Sequence, residues 1–225
     1  LTVALTGGIA TGKSVVSSVL KKRGCYIHRA DECAHTLMKP GRRAWQAVVD
    51  HFGPEILNPD RTINRPRLGQ IIFSNKAERE FLNRLIHPLV WEAKKRTLRR
   101  LEKSGRYQIF VSEAALTIEA GYASHFDKVV VVHCPEEVQV KRLMDRDGVS
   151  QRQARQKIRS QMPTAEKLKQ ADYIIDTSGT LEQTAARAER LYRWLQSAYR
   201  KKYRRQTARS AIRLKKRGRR RGAES

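Results

Sequence analysis

With 225 residues, 40% hydrophobic and 31% charged, the chain can bury one sizeable core, and its longest strongly apolar run, residues 129–132, is far short of the roughly 18 to 20 residues that cross a bilayer. The formal net charge is +25, and about half of it falls in residues 199–225, where 13 lysines and arginines face a single glutamate. Three cysteines, Cys25, Cys33 and Cys134, have no C-x-x-C spacing, which argues against a disulfide framework or a zinc site and leaves them as small buried hydrophobes.

Residues 1–6 are apolar enough to read as a buried strand, and residues 14–20 open a helix with Val15, Val16, Val19 and Leu20 at helical spacing. Between them, Gly7-Gly8-Ile9-Ala10-Thr11-Gly12-Lys13-Ser14 fits the phosphate-loop pattern G-x-x-x-x-G-K-[ST] in the strand-to-helix context that the pattern needs. The glycines allow a sharp turn, so that successive N–H groups converge on phosphate oxygens at the positive end of a helix. A nucleoside triphosphate is therefore expected, cradled by Gly7, Gly8, Ala10, Thr11, Gly12 and Val15, with Lys13 reaching the β/γ-phosphates and Ser14 holding Mg²⁺.

Residues 25–28 read as a second strand that delivers Asp31 to its C-terminal end, the edge at which ligands gather in open α/β sheets. A helix over 31–38 stops at Pro40-Gly41, and residues 42–104 are mostly helical, with breaks at Gly53-Pro54, Asn58-Pro59-Asp60 and His87-Pro88. Strands follow at 109–111 and 128–133, then charged helices over 135–147 and 150–161, a strand at 173–175, and an amphipathic helix from Leu181 to about Trp194. Strands separated by helices predict an α/β fold with a parallel sheet covered on both faces. The low-complexity basic segment 199–225 cannot bury enough apolar surface to offset ordering, and disorder or a frayed helix is expected there. The chain opens directly in its first strand, without a charged segment or an apolar signal core, so a cytoplasmic protein is expected.

Several features beyond the phosphate loop occur at ordered intervals: Leu5-Thr6-Gly7-Gly8-Ile9, Ala30-Asp31, Pro40-Gly41, Arg65 ahead of Ile72-Phe73, and Ile86-His87-Pro88. They continue with Leu116 and Glu119, Lys141-Arg142 with Arg146-Asp147, Ser160-Gln161, and Ala171-Asp172 leading to Gly179. In these features residues 1 to about 195 resemble the dephospho-coenzyme A kinase family. The resemblance implies a P-loop NTPase-type core, a helical acceptor-binding insertion at about 42–104 and a lid at about 138–165, all within residues 1–198. It also implies transfer of the ATP γ-phosphoryl group to the ribose 3′-hydroxyl of dephospho-coenzyme A. Asp31 would then be the catalytic acid-base residue, with Thr6, Arg65, His87 and Glu119 on the acceptor side and Arg142 and Arg146 on the triphosphate. The chain departs from the family at Arg29, where a carboxylate is usual, at Ala114-Ala115-Leu116, and at Thr177, where an asparagine is usual on the adenine side.

Taken without the family, several of these residues have a plainer reading. Asp31 is as well suited to cap the following helix as to take a proton. Arg142 and Arg146, one turn apart, can clamp phosphates or pair with Glu137 and Asp145 on a solvated face. His87 sits at a helix break, Arg65 and Glu119 suit surface ion pairs, and Trp45, Trp91 and Trp194 suit packing. Two other classes compete. A GTPase switch would need N-K-x-D, which Asn75-Lys76-Ala77-Glu78 lacks, and a nucleic-acid-binding protein is favoured only by the basic tail, as a weak polyanion contact. A kinase for another small metabolite stays open on the core motifs alone.

Overall fold

The computed structural model describes the backbone of residues 1–221 and the side chains of residues 1–204. Five strands, β1 (Thr2–Thr6), β2 (Tyr26–Arg29), β3 (Phe110–Glu113), β4 (Lys128–His133) and β5 (Tyr173–Asp176), form one sheet in the order β2-β3-β1-β4-β5. Every pairing is parallel, with Leu5 opposite Glu113 on one side of β1 and opposite Val130 on the other. The chain fills the β2-β3 side of β1 first and the β4-β5 side second. The carboxyl end of β1 is thus the point where the topology switches direction, the position at which such sheets bind ligands.

Val3, Ala4, Leu5 and Val130 to Val132 are fully buried because helices cover both faces of the sheet. On one face α1 (Lys13–Lys22) and α9 (Leu181–Arg221) pack Val16, Leu20, Ala188, Leu191 and Leu195 against Val3, Leu5, Val130 and Val132. On the other, Ile118 packs on Ala4, Val129 and Val131, flanked by Met162 and Leu168. Between β2 and β3 the chain builds α2 (Ala30–Leu37), α3 (Arg43–Phe52), α4 (Arg65–Ser74) and α5 (Lys76–Ser104) around a separate cluster that includes Trp45, Val48, Ile56, Leu68, Leu82 and Ile86. After β4, α6 (Glu136–Asp147) and α7 (Gln151–Arg159) pack Val140, Leu143 and Ala154 beside Ile9 and Ala10 of the phosphate loop. A five-residue α8 (Thr164–Leu168) returns to β5.

Two helices differ from the sequence expectation. The helix does not break at His87-Pro88: α5 runs through Pro88. The proline forfeits one backbone bond and costs about 3 kcal/mol, but buried Leu82, Ile86 and Val90 lie on both sides of it and hold the helix together. Helix α9 does not end near Trp194 but continues through most of the basic segment to Arg221. Lys202 Nζ reaches Asp127 at 2.6 and 2.7 Å, and the same carboxylate accepts hydrogen bonds from Thr2 N and Oγ1, so the first turn of the basic segment is fastened to the body. Arginine, lysine, glutamine and alanine, which dominate the extension, are good helix formers. Residues 222–225 of the expected tail lie outside the described residues. No helix among the described residues is long and apolar enough to cross a membrane.

Candidate active site

The phosphate loop leaves β1 and enters α1 through three positive-φ residues, Gly7 (143°), Ala10 (58°) and Gly12 (82°). Gly7 has no alternative, since a Cβ there would lie 2.0 Å from the Val132 carbonyl oxygen. Gly7→Ala should therefore displace the loop or β4, lowering stability by more than about 2 kcal/mol and abolishing nucleotide binding. A thermal melt with and without ATP checks both effects. Lys13 folds back over the loop and donates to the Gly7 and Gly8 carbonyls at 2.9 and 2.8 Å. Burial pulls its pKa down to about 8, and the nearby Lys167 pulls the same way, against the carboxylates of Asp31, Glu113 and Glu119. Ser14 is exposed at the start of α1, while the Val15 N–H is spent on the Gly12 carbonyl at 3.1 Å.

Arg142 and Arg146 do not converge on one cleft. Arg142 donates to Thr177 O at 2.7 Å, Thr177 Oγ1 at 3.3 Å and Ala10 O at 3.5 Å. Arg146, on the same face one turn later, is drawn away to the surface by Asp147 at 2.7 Å, and Lys157 shares that carboxylate at 3.1 Å. Thr177, buried, donates through Oγ1 to the Thr11 carbonyl at 2.7 Å. Thr177 thus ties the loop after β5 to the phosphate loop. From the α7-α8 connection, Gln161 Oε1 accepts from the Ile9 N–H at 2.8 Å.

Two expected acceptor residues spend their side chains on other partners. Thr6 is fully buried, with its hydroxyl donated to the Ala115 carbonyl at 3.1 Å, and it cannot reach a ligand. Glu119 turns toward Lys167, with Nζ to Oε1 at 2.5 Å, and also accepts from the Met162 N–H at 3.3 Å. Lys167 is only 1% exposed and donates as well to Ala115 O at 3.2 Å. Removing one partner of such a pair strands a buried charge, which costs about 3 to 5 kcal/mol. Glu119→Ala should lower stability by that order in chemical denaturation, while Glu119→Ala combined with Lys167→Met should recover most of it.

Asp31 does not cap its helix. The N-cap of α2 is Arg29, which makes no capping bond through its side chain, and Asp31 lies in the first turn, where a negative charge suits the helix dipole. It lines a cavity of about 750 Å³ walled by α2, α4, α5 and the segment after β3, and its charge reaches Lys13 across the phosphate loop. Arg65 and His87 line the same cavity. Arg65 Nη1 is 2.8 Å from His35 Nδ1, and burial followed by that guanidinium lowers the His35 pKa. Burial likewise lowers the pKa of His87. Trp91, expected only to pack, is also a cavity wall and stacks on Tyr122 at 5.0 Å between centroids.

Glu113 belongs to none of the sequence motifs. It ends β3 beside Leu5, its charge reaches Lys13, and its Oε2 is buried without a hydrogen-bond partner, with Arg29 Nε at 3.5 Å. A carboxylate at the carboxyl end of an apolar strand was the available signal. No group of three or more His, Cys, Asp or Glu side chains capable of holding a metal occurs among the described residues. The exposed Ser14 hydroxyl nevertheless fits Mg²⁺, which takes few protein oxygens and completes its shell with water and substrate phosphates, and Glu113 Oε2, ion-paired with Arg29 but without a hydrogen bond, can accept from such a water.

A phosphate loop at the switch point of a parallel sheet, facing a separate cavity with a carboxylate at the boundary, defines a P-loop phosphotransferase. The family model described as dephospho-CoA kinase matches residues 1–183. A dephospho-CoA kinase of Syntrophus aciditrophicus is 37% identical over 212 residues, 94% of this chain and 89% of the relative. One from Geobacillus kaustophilus is 41% identical over 82% of this chain and 91% of the relative. The solved dephospho-CoA kinase of Campylobacter jejuni superposes with a TM-score of 0.63 at 27% identity, over 88% of this chain and 98% of that one. The chain belongs to the dephospho-CoA kinase family.

Proposed function

We propose that the chain transfers the γ-phosphoryl group of ATP to the ribose 3′-hydroxyl of dephospho-coenzyme A, releasing ADP and coenzyme A. The observation that carries this is the placement of Asp31, which lines the 750 Å³ cavity and interacts electrostatically with Lys13 of the phosphate loop. Phosphoryl transfer needs an acceptor oxygen in line with the γ-phosphorus, cations over the equatorial oxygens and a base for the hydroxyl proton. In this reading Asp31 accepts the proton and orients the hydroxyl, Lys13 leaves the Gly7 and Gly8 carbonyls for the β/γ-phosphates, and Arg142 fixes the far wall of the phosphate loop. Arg65 and His87 hold the acceptor. Ser14 would bind Mg²⁺ and Glu113 its water, and the ion when bound neutralises charge on the phosphate oxygens. Incubation with ATP-Mg²⁺ and a panel of hydroxylated acceptors tests the assignment: ADP release should be fastest with dephospho-coenzyme A. Preference for another acceptor would move the chain to a different substrate.

Residues 138–165 act as a lid in this reading. Gln156 Nε2 donates to Phe73 O at 3.3 Å and Lys157 lies 5.6 Å over the Phe73 ring, while Gln161 holds the phosphate loop, so the segment spans both sides of the cleft. Hydrogen exchange in 138–165 should slow when both substrates bind, and an unchanged rate would remove the lid. The basic extension of α9 is read as a weak polyanion contact of a cytoplasmic enzyme, carried by its 13 basic residues against one acid. Truncation after Arg204, which keeps Lys202 on Asp127, should preserve turnover and weaken salt-sensitive retention on nucleic acid.

A further inference from the structure

The cavity lined by Asp31 is mostly apolar, with Leu82, Ile86, Val90 and Ala114 in its wall, yet it also contains a buried cation. Lys94 is 7% exposed, and its ammonium lies 5.0 Å from the Trp91 ring centroid and 4.9 Å from that of Phe126. It has no carboxylate partner within ion-pair distance and no hydrogen bond among the described residues. The titratable groups whose charge couples to it are Cys33 on α2, His28 on β2 and His87 on α5, none of which carries a compensating negative charge at neutral pH, and Asp31, the carboxylate in the same lining, is not among them. Thr117 supplies another unspent polar group in the cavity wall, its Oγ1 buried without a partner. The other cations in the lining are differently placed: Arg65 is engaged with His35, and Lys39 is exposed.

Two aromatic faces offset only part of the desolvation of a buried ammonium. A charge kept unpaired in the wall of a ligand cavity is neutralised when the ligand brings an anion. We propose that Lys94 is a specificity-determining residue that binds the diphosphate of the acceptor inside this cavity, apart from the group that handles the reacting hydroxyl. The proposal rests on reading the cavity as the acceptor site. Dephospho-coenzyme A carries both features, a ribose hydroxyl for Asp31 and a diphosphate for Lys94, whereas adenosine carries the hydroxyl alone. Lys94 thus gives the site a means of preferring the diphosphate-bearing molecule over a bare nucleoside.

The Lys94 pKa agrees with a cation awaiting a partner, since burial lowers it to about 8. Between about pH 8 and 10.5 the unfolded chain holds this proton more strongly than the folded chain does. The wild type therefore gains stability across that window as pH rises, and Lys94→Met, which removes the titrating group, should lose that gain and be more stable than the wild type below pH 8.

The test compares wild type and Lys94→Met, whose side chain has similar length and no charge. The KM for dephospho-coenzyme A should rise about tenfold or more, with the effect falling on KM rather than kcat, because a charge-assisted bond to the acceptor is lost. The inhibition constant of adenosine competing with dephospho-coenzyme A should not move. An unchanged KM overturns the proposal. An equal loss for both molecules also overturns it, by showing that Lys94 only shapes the cavity. Asp31→Asn, measured alongside, separates this inference from the one beneath it. If Asp31→Asn impairs turnover and Lys94→Met changes nothing, Lys94 alone is misassigned; if neither variant affects turnover or KM, the cavity is not the acceptor site.

Discussion

Lys13→Ala should cut kcat/KM by about a thousandfold or more while the protein stays folded, because in the proposed reading it removes the cation that sits over the transferring group. The fold does not depend on this side chain. Of its two partners, the carbonyls of buried Gly7 and half-buried Gly8, the second lies where water can replace the ammonium. The pKa of about 8 adds a second signature. A bound triphosphate favours protonated Lys13, so ATP binding should take up a proton above pH 8, and ATP affinity should fall as pH rises through that value. In Lys13→Ala that pH dependence should disappear. Titrating ATP binding at pH 7 and pH 9 checks both points, and turnover within tenfold of wild type would mean that the phosphate loop does not carry the triphosphate.

The phosphate loop was legible in the sequence because its chemistry requires contiguous residues: a buried strand, glycines able to take positive φ, and a helix that begins at the lysine. The parallel sheet was legible for a similar reason, since residues 129–132 form a continuous apolar run only when both faces are covered. Helix boundaries that depend on distant contacts were not. Pro88 reads as a breaker until its buried flanking residues are placed, and Lys202 reads as tail until Asp127 is found beside it, 75 positions away in the chain.

Orientation was harder to read than location. Thr6 lies next to the phosphate loop, as its family position implies, but its hydroxyl faces the Ala115 carbonyl; Glu119 lies near the site but faces Lys167. Arg142 and Arg146 share a helix face, yet Thr177 and Asp147 draw them apart. Lys94 and Lys167 resemble ordinary solvated helix lysines in sequence, and only packing shows both to be more than nine-tenths buried. Glu113 likewise gains meaning from the register that sets it beside Leu5. The family resemblance supplied neighbourhoods, and the direction of each side chain came from packing partners far away in sequence.

Asp31→Asn should lower kcat with dephospho-coenzyme A by about a hundredfold to ten-thousandfold, with ATP affinity close to wild type, because in the proposed reading it removes the proton acceptor while conserving shape. The alternative was that Asp31 serves as a helix cap, but the N-cap of α2 is Arg29 and the carboxylate is exposed at the edge of the cavity. Losing its favourable interaction with the helix dipole should cost only about 0.3 to 1 kcal/mol, too little to unfold the chain. The same substitution withdraws a negative charge that raises the proton affinity of Lys13, so the Lys13 pKa should move further down from about 8. ATP binding in the variant should therefore weaken at a lower pH than in the wild type. A structural role predicts a small stability loss with turnover kept, whereas a catalytic role predicts the reverse. Measuring kcat, ATP affinity at pH 7 and the melting temperature on the same preparation separates them, and a folded Asp31→Asn with wild-type kcat would remove Asp31 from the chemistry.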